Sequence, residues 1–584
     1  MPLFNRPRFA PAAAAAVALA AALIVPASTA STASTDSPPV SALAPRIAAS
    51  TPQLAVGAAI RDITPDPAWF PMRRAPQIQI TAIDDPLRTR VVAISDGAVT
   101  AIMVSNETGR GPYGPQFAQA VADRAGVPLD AVFYTATHSH AAPEVTRAID
   151  LAFNPADPTV TSDQRWAKLV LDQLLDAVDE ALANLQPVTV GIGYTESYVN
   201  VNRSVHYAGV DAAGNPTVVH NLGYNGAGIS DKTLAAIQFN SVATGAPVAF
   251  VINYSVHGTV MHGNTRGPVI AGVTPNDGGV AISSDIPGLV STMLEAKHPG
   301  SVAVWLSGAA ADQAPIVQNQ MMSPDPLTGQ YTETNGDDYN LLVFLSQIHF
   351  ADIETALGRI SGFKGDVAVT TGYTDSAIPA LDGSDYYVGL QSLRIGDILL
   401  LGFAGELYTQ LGLDIKAASP VAHTIVVNHT WQRAAQHEGY HPDDKSIAEG
   451  SWQTAPYRSG FLSPALQTMA RALAGIDPAW TSNGDGTSTN SETGATVIDG
   501  LDAIPGTADD NRVVSASGKT LLANVTVSQN ANRGRYVDLG NGFPLYGGAD
   551  GALGTRDDVV RSFGSFPQSD ATGATKDPLD WRLL

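Results

Sequence analysis

Two apolar runs of strand length each deliver a histidine at their C-terminal end, and that repeated placement constrains the fold more than any other feature. The first is Ala131-Val-Phe-Tyr-Thr-Ala-Thr137, which leads into His138-Ser-His140; the second is Phe250-Val-Ile-Asn-Tyr-Ser-Val-His257. A third, Ile398-Leu-Leu-Leu-Gly-Phe-Ala-Gly405, leads into Glu406. Alternate residues of a strand point the same way, so the spacing predicts that His138 and His140 project from one face, as metal ligation or proton transfer requires. The His-x-His pair fits two hydrogen-bonded structural histidines equally well. Glu406 reads as the first residue of a helix, where its charge suits the helix dipole whether or not it has a chemical role.

Around these runs the chain alternates strand-like and helix-like segments from residue 52 to about 477, the pattern of a layered mixed-sheet α/β domain. Arg90-Val-Val-Ala-Ile-Ser95 and Val99-Thr-Ala-Ile-Met-Val104, separated by Asp96-Gly97, predict a hairpin. Residues 116–125 predict a short helix. Trp166, Leu169, Val170, Leu174, Ala177, Val178, Ala181 and Leu182 recur at helical spacing and predict a long amphipathic helix before Pro187. Further strands are expected at 188–194, 234–239, 247–256 and 302–306. A second long helix is expected at 339–360, and a hairpin turning at Gly396-Asp397.

At 584 residues the chain exceeds what one core usually serves. A formal net charge of -22 argues against nucleic acid or an anionic membrane surface as a partner. With no cysteine there is no disulfide framework and no thiolate metal site, which leaves His, Asp, Glu and Tyr as ligands. Arg6 and Arg8 precede the apolar residues 12–25, with Ala27-Ser-Thr-Ala30 following. This predicts a secretory signal peptide over 1–30 and an exported protein without a transmembrane segment. Residues 31–51, rich in Ser, Thr, Ala and Pro, predict a linker. The region 478–584 is acidic and rich in Gly and Asp. Asp499-Gly-Leu-Asp-Ala-Ile-Pro-Gly-Thr-Ala-Asp-Asp510 is echoed by Asp550-Gly-Ala-Leu-Gly-Thr-Arg-Asp-Asp558, and Asn483-Gly-Asp-Gly-Thr487 is similar. Such turns offer oxygen ligands for Ca2+ or are simply solvated acidic turns, and their spacing is not that of an EF-hand.

In order along the chain, several motifs resemble those of the neutral (non-lysosomal) ceramidase family of zinc-dependent amide hydrolases. Gly57-Ala-Ala-Ile-Arg-Asp-Ile-Thr64 is similar to the family's opening G-x-x-x-x-D-I-T, and Asp85-Pro-Leu-Arg-Thr-Arg-Val-Val92 to the strand after it. Ala136-Thr-His-Ser-His140 is similar to A-T-H-T-H, and Asn202-Arg203-Ser204 to N-R-S. His257 followed by Ser283-Ser-Asp285-Ile-Pro-Gly288 is similar to the histidine strand and S-x-D segment. Ala404-Gly405-Glu406 resembles P-G-E, and Gly439-Tyr440-His-Pro442 resembles G-Y-x-P. The resemblance spans residues 52–477. It implies a zinc ion held by His138, His257, Glu406 and Tyr440, with His140 and Arg203 beside it as catalytic groups. Zinc lowers the pKa of its bound water to about 7 and so makes hydroxide available for attack on a carbonyl, while a cationic Arg203 stabilises the oxyanion. The implied substrate is a linear N-acyl amide, ceramide or a related lipid, which places the chain in sphingolipid metabolism.

Three departures leave alternatives open. The stretch before Tyr440 is longer than the family spacing, so His437 or His441 could take the fourth ligand position. Where the family carries a serine before proline, this chain has Ala314-Pro315, which leaves a zinc hydrolase of another amide or ester, or a secreted binding protein without activity. The immunoglobulin-like β domain that the resemblance places after the catalytic domain is not expected, because the tail shows few strand signals beyond 520–527. A metallo-β-lactamase-type hydrolase ranks lower, because Ala142 and Pro143 stand where the Asp and His of its His-x-His-x-Asp-His run would be.

Overall fold

The computed structural model describes residues 53–580 apart from 76–77, 111–113, 144–151, 154–156, 158, 211–212, 262–279, 318–320, 325–330, 335–338, 432–438 and 476–479; beyond 480 it describes short strands and single turn residues. The signal-peptide and linker segments therefore lie outside the described residues. So do most of the acidic turns at 499–510 and 550–558, and with them the calcium expectation.

An eight-stranded mixed sheet organises the molecule. Its strands are β1 (Ala55–Asp62), β2 (Arg88–Ser95), β3 (Thr100–Asn106), β4 (Val132–Ala136), β5 (Gln186–Glu196), β6 (Thr233–Ser241), β7 (Pro247–Tyr254) and β8 (Val302–Ser307). Across the sheet they run β8-β7-β6-β5-β1-β2-β3-β4. The two pairs at the edges, β7 with β8 and β3 with β4, are parallel. A second sheet takes β9 (Val369–Pro379), β10 (Asp385–Ile395), β11 (Ile398–Phe403) and β12 (His423–Val427), with β11 and β12 parallel.

Side-chain alternation then sets the layers. Ala235, Ile237 and Val251 pack with Val369, Leu393, Leu400 and Ile425 between the two sheets. Their strand neighbours Leu234, Ala236, Phe250 and Ile252 face the other way, onto helices α3 (Asp285–Lys297) and α4 (Tyr339–Gly358). Val91 and Ala93 do the same toward α1 (Gly114–Ala125) and α2 (Ser162–Ala183). The outer face of the second sheet is covered by α5 (Thr409–Ala418) and α6 (Leu462–Leu473). The result is a helix–sheet–sheet–helix sandwich. Among the described helices, α4 is long and apolar enough by composition to cross a membrane; Leu342, Leu345 and Ile353 on it are buried against the first sheet.

Most predicted elements are present, including the hairpin at Asp96-Gly97 and the one at Gly396-Asp397. Helix α2 begins at a reciprocal cap, with Thr161 Oγ1 accepting from the Gln164 amide and Gln164 answering at the Thr161 amide. It ends at Ala183, and Pro187 lies in β5. The tail departs from expectation: its described residues form ten short strands, among them a five-stranded antiparallel sheet that starts at Val527–Asn530. The strand Trp480–Ser482 pairs antiparallel with Thr487–Asn490, and Asn483 bonds to Thr487 and Thr489.

Helix α2 lies directly on β1, because Gly57 has no side chain. A Cβ at Gly57 would overlap the carbonyl oxygen of Ala181 and the chain at Asn184 and Leu185. Gly57→Ala must lift the helix end off the sheet, a strain of about 1–3 kcal/mol. Differential scanning calorimetry is expected to show a lower Tm; an unchanged Tm would mean that α2 does not pack as described.

Candidate metal centre

The three parallel strand pairs of the two large sheets point their C-terminal ends at one region, and the loops that follow supply the site. After β4 the chain turns sharply: His138 adopts φ 63, a left-handed conformation that costs a non-glycine residue about 1–2 kcal/mol. The two histidines are therefore not displayed by strand alternation, because β4 has already ended at Ala136. The turn brings their rings to the same point by another route. It is held by the His140 amide on Gly258 O at 2.7 Å and by Ser139 Oγ on Ser283 O at 2.7 Å. Ser283 is fixed in turn by the buried Asp85 carboxylate at 2.6 Å, and Asp285 accepts from the Met261 amide at 2.9 Å in the loop after His257. The Asp85 and Ser283-Ser-Asp285 motifs are thus scaffolding for the two histidine loops.

The ring orientations decide what the cluster can do. His138 Nδ1 faces Gly109 O, and His257 Nδ1 faces Ala310 O at 2.7 Å and Gln313 O at 3.0 Å. A carbonyl only accepts, so the proton of each neutral ring sits on Nδ1 and each Nε2 carries a lone pair. Burial above all holds both rings far below the usual imidazole range; for His257 the charge of Arg203 adds to this, and for His138 the neighbouring His429 does. Both lone pairs face Glu406 Oε2, at 3.6 Å from His138 Nε2 and 3.1 Å from His257 Nε2. His140 Nε2 lies 2.9 Å from His138 Nε2.

Acceptors packed this closely and this deeply repel one another unless a cation or proton lies between them. Glu406 Oε1 adds a buried oxygen with no hydrogen-bond partner. Ligand atoms about 2.0–2.2 Å from a tetrahedral zinc lie about 3.3–3.6 Å from each other, close to the spacings found here. The donor set of His138, His257 and Glu406, with His140 at the rim, fits a metal ion of that size and softness.

Glu406 is not at a helix start, as its sequence context predicts. It sits in a two-residue strand, β13 (Glu406–Leu407), paired in parallel with β14 (Tyr440–His441), so Glu406 and Tyr440 are register partners. Helix α5 begins three residues later, and its Thr409 amide is capped by Asp312 at 2.9 Å. Asp312 is thereby a cap, held also by Asn202 at 2.8 Å. Arg203 is buried between the Tyr440 and Trp452 rings, its Cζ 5.6 and 5.3 Å from their centroids. Its Nη2 donates to Ala311 O at 2.7 Å and to His257 Nε2 at 3.0 Å, and reaches Tyr440 Oη at 3.5 Å. The Tyr440 phenol is pushed up to about 12, first by burial and then by Glu406.

His441 is no alternative ligand: its Nε2 pairs with Tyr386 Oη at 2.7 Å and its Nδ1 with Gly439 O at 2.8 Å. His437 lies outside the described residues. Ala314 is fully buried against Val201 and Ile316 beside Gln313. One residue escaped sequence reasoning: His429, which follows β12 and also has a positive φ, of 60. Its signal was present, since Ile425-Val-Val-Asn-His429 is a third apolar strand ending in histidine. His429 stacks on His138 with centroids 3.9 Å apart and planes 15° apart. An imidazole binds metal in its own plane, so two nearly parallel rings do not aim at a shared ion, although His429 groups with His138 and Glu406 within 4.8 Å.

Fold and site together define a layered α/β protein with a buried His/Glu group able to hold a metal ion. No family model matches the sequence, and no curated protein is similar enough to match it. The fold is similar to the crystal structure of neutral ceramidase from Pseudomonas aeruginosa: TM-score 0.52 at 16% identity, covering 72% of this chain and 74% of that one. A structure of a ceramidase complexed with C2 is similar to the same degree, at TM-score 0.52 and 16% identity over 72% of this chain and 75% of that one. The likeness is one of fold.

His138→Ala and His257→Ala are expected to lose bound metal in a chelator competition, by on the order of 100-fold or more in affinity. His441→Ala, although buried, should retain it. Elemental analysis after dialysis against a chelator checks this, and metal retained by the first two variants would contradict the ligand set.

Proposed function

We propose that this protein is a secreted, zinc-dependent hydrolase of neutral-ceramidase type that cleaves the amide of an N-acyl substrate. The observation that carries the proposal is the pair of Nδ1–carbonyl contacts, which turns the lone pairs of His138 and His257 onto Glu406. The similar fold of the ceramidases and the strand-end motifs support the reaction class; the sequence before residue 31 supports export. Zinc when bound supplies a Lewis acid and lowers the pKa of water to about 7.

The chain's own groups then have separate tasks. His138, His257 and Glu406 form the ligand cage. Arg203, immobilised through Ala311 O and the two flanking rings, keeps Nη2 within reach of the site and stabilises negative charge developing on the carbonyl oxygen. Tyr440, neutral with its Oη beside Arg203, takes the fourth ligand position or adds a second donor there. His140 is the half-buried ring of the group. It moves a proton at Nε2 between the water and the leaving nitrogen, because exchange with solvent is open to it and not to His138 or His257.

The test is hydrolysis of short-chain N-acyl amines and of the more labile acyl esters by the purified protein. Turnover is expected, lost on zinc removal and restored by zinc. Arg203→Ala should lower kcat by about 100-fold or more with metal content unchanged, because its contact strengthens in the transition state. No metal-dependent turnover of any N-acyl amide or ester would favour a secreted binding protein, the outcome that Ala314 in place of the family serine would then explain.

A further inference from the structure

The metal centre is flanked by two arginines. Arg203 stands on the His257 side. Arg110, four residues beyond β3, stands on the side of His138 and His429. It lines a narrow cleft of about 20 Å³ with Gly114, Tyr134, Ala404, His429, Thr430 and Trp431. Its charge reaches both histidines, adding to the effect of burial that holds His429 at about 4. Among the described residues no carboxylate pairs with the Arg110 guanidinium.

A cation beside a metal site weakens metal binding by repulsion, so its presence needs another reason. Two further features of the cleft point the same way. Gly114 is the first residue of the 12-residue helix α1, whose first turn holds no acidic side chain, so the positive end of the helix dipole faces the cleft. His429, 8% exposed, lines the cleft and has a buried Nε2 with no partner, a group that donates a hydrogen bond in the Nε2–H tautomer. The walls are fixed: Trp431 Nε1 donates to Val132 O at 2.6 Å, and Tyr134 Oη accepts from Asn106 at 2.8 Å. With a dication bound, the Glu406 charge is compensated and does not oppose an anion in the cleft.

We infer that the cleft between Arg110, the start of α1 and His429 is a carboxylate subsite, and that the substrates are N-acyl amides bearing a carboxylate near the scissile bond, as N-acyl amino acids do. This rests on the hydrolase reading and narrows it away from neutral lipid amides. A planar carboxylate matches the fork of a guanidinium and the narrowness of the cleft. Arg110 thereby sets specificity, while Arg203 serves the reacting carbonyl.

The test uses binding, so that it stands apart from turnover. N-hexylsulfonylglycine, which carries a carboxylate and no hydrolysable amide, and its neutral carboxamide are titrated calorimetrically into the zinc-loaded protein. The acid is expected to bind about 10-fold or more tightly than the carboxamide, as a hydrogen-bonded charge pair gives. Arg110→Gln should abolish that preference and Arg110→Lys should keep part of it, with zinc content unchanged in both. Equal affinity for the two ligands in the wild type, including no measurable binding of either, overturns the inference. So does a preference that survives in Arg110→Gln, since the carboxylate would then be held by the metal alone. A clear preference without hydrolysis of any N-acyl substrate keeps the subsite and removes the hydrolase reading instead.

Discussion

Two backbone contacts govern the centre of this molecule: Gly109 O on His138 Nδ1, and Ala310 O with Gln313 O on His257 Nδ1. Each fixes a tautomer, and by doing so turns a lone pair inward toward a buried carboxylate. From the His257 side Arg203 donates into that space. Without a cation the arrangement would be a cluster of buried acceptors, which costs stability; with one it is a ligand cage. Much of the surrounding structure can be understood as holding those carbonyls and rings at the required spacing.

The sandwich supplies that rigidity. Ligands from the first sheet meet Glu406 from the second, so the site exists only while the two sheets stay in register. Asn253 bridges Leu306 O and Val426 O at 3.0 and 3.1 Å, and the Asn428 amide reaches Ser307 O at 2.8 Å. These bonds stitch the sheets together just below the site. A large apolar interface between the sheets carries the weight of stability. Buried polar bridges of this kind add little net energy but fix one alignment out of several that the apolar packing would tolerate.

How much of this the sequence revealed follows from what each signal depends on. The strands ending at His138 and His257 were legible because an apolar run of that length has few other uses, and α2 because its apolar residues return at helical spacing. The convergence of His138, His257 and Glu406 was legible only through motif order, since no local rule brings together residues more than 100 apart. The left-handed turn at His138 was not, because strand periodicity assumes an extended backbone. Glu406 was misplaced for a similar reason: a two-residue strand leaves no pattern, and the helix that starts at Thr409 lies close enough to claim it. In the tail, strands of two to five residues are too short to display the hydrophobic alternation that marks a strand, and most were missed. His429 carried the same strand-end signal as the other histidines, yet it fell outside the motifs that drew attention to them.

The charge pattern gives the site its direction. A chain with formal net charge -22 keeps arginines on both flanks of the buried Glu406 carboxylate, so the field at the mouth favours anions that the rest of the surface repels. All of it depends on a metal ion occupying the cage. Diffraction data collected on either side of the zinc absorption edge from crystals of the protein as purified test this most directly. An anomalous peak is expected about 2.0–2.2 Å from His138 Nε2, His257 Nε2 and Glu406 Oε2 together. Density showing those three atoms in place with no peak between them, or a peak elsewhere in the molecule, would contradict it.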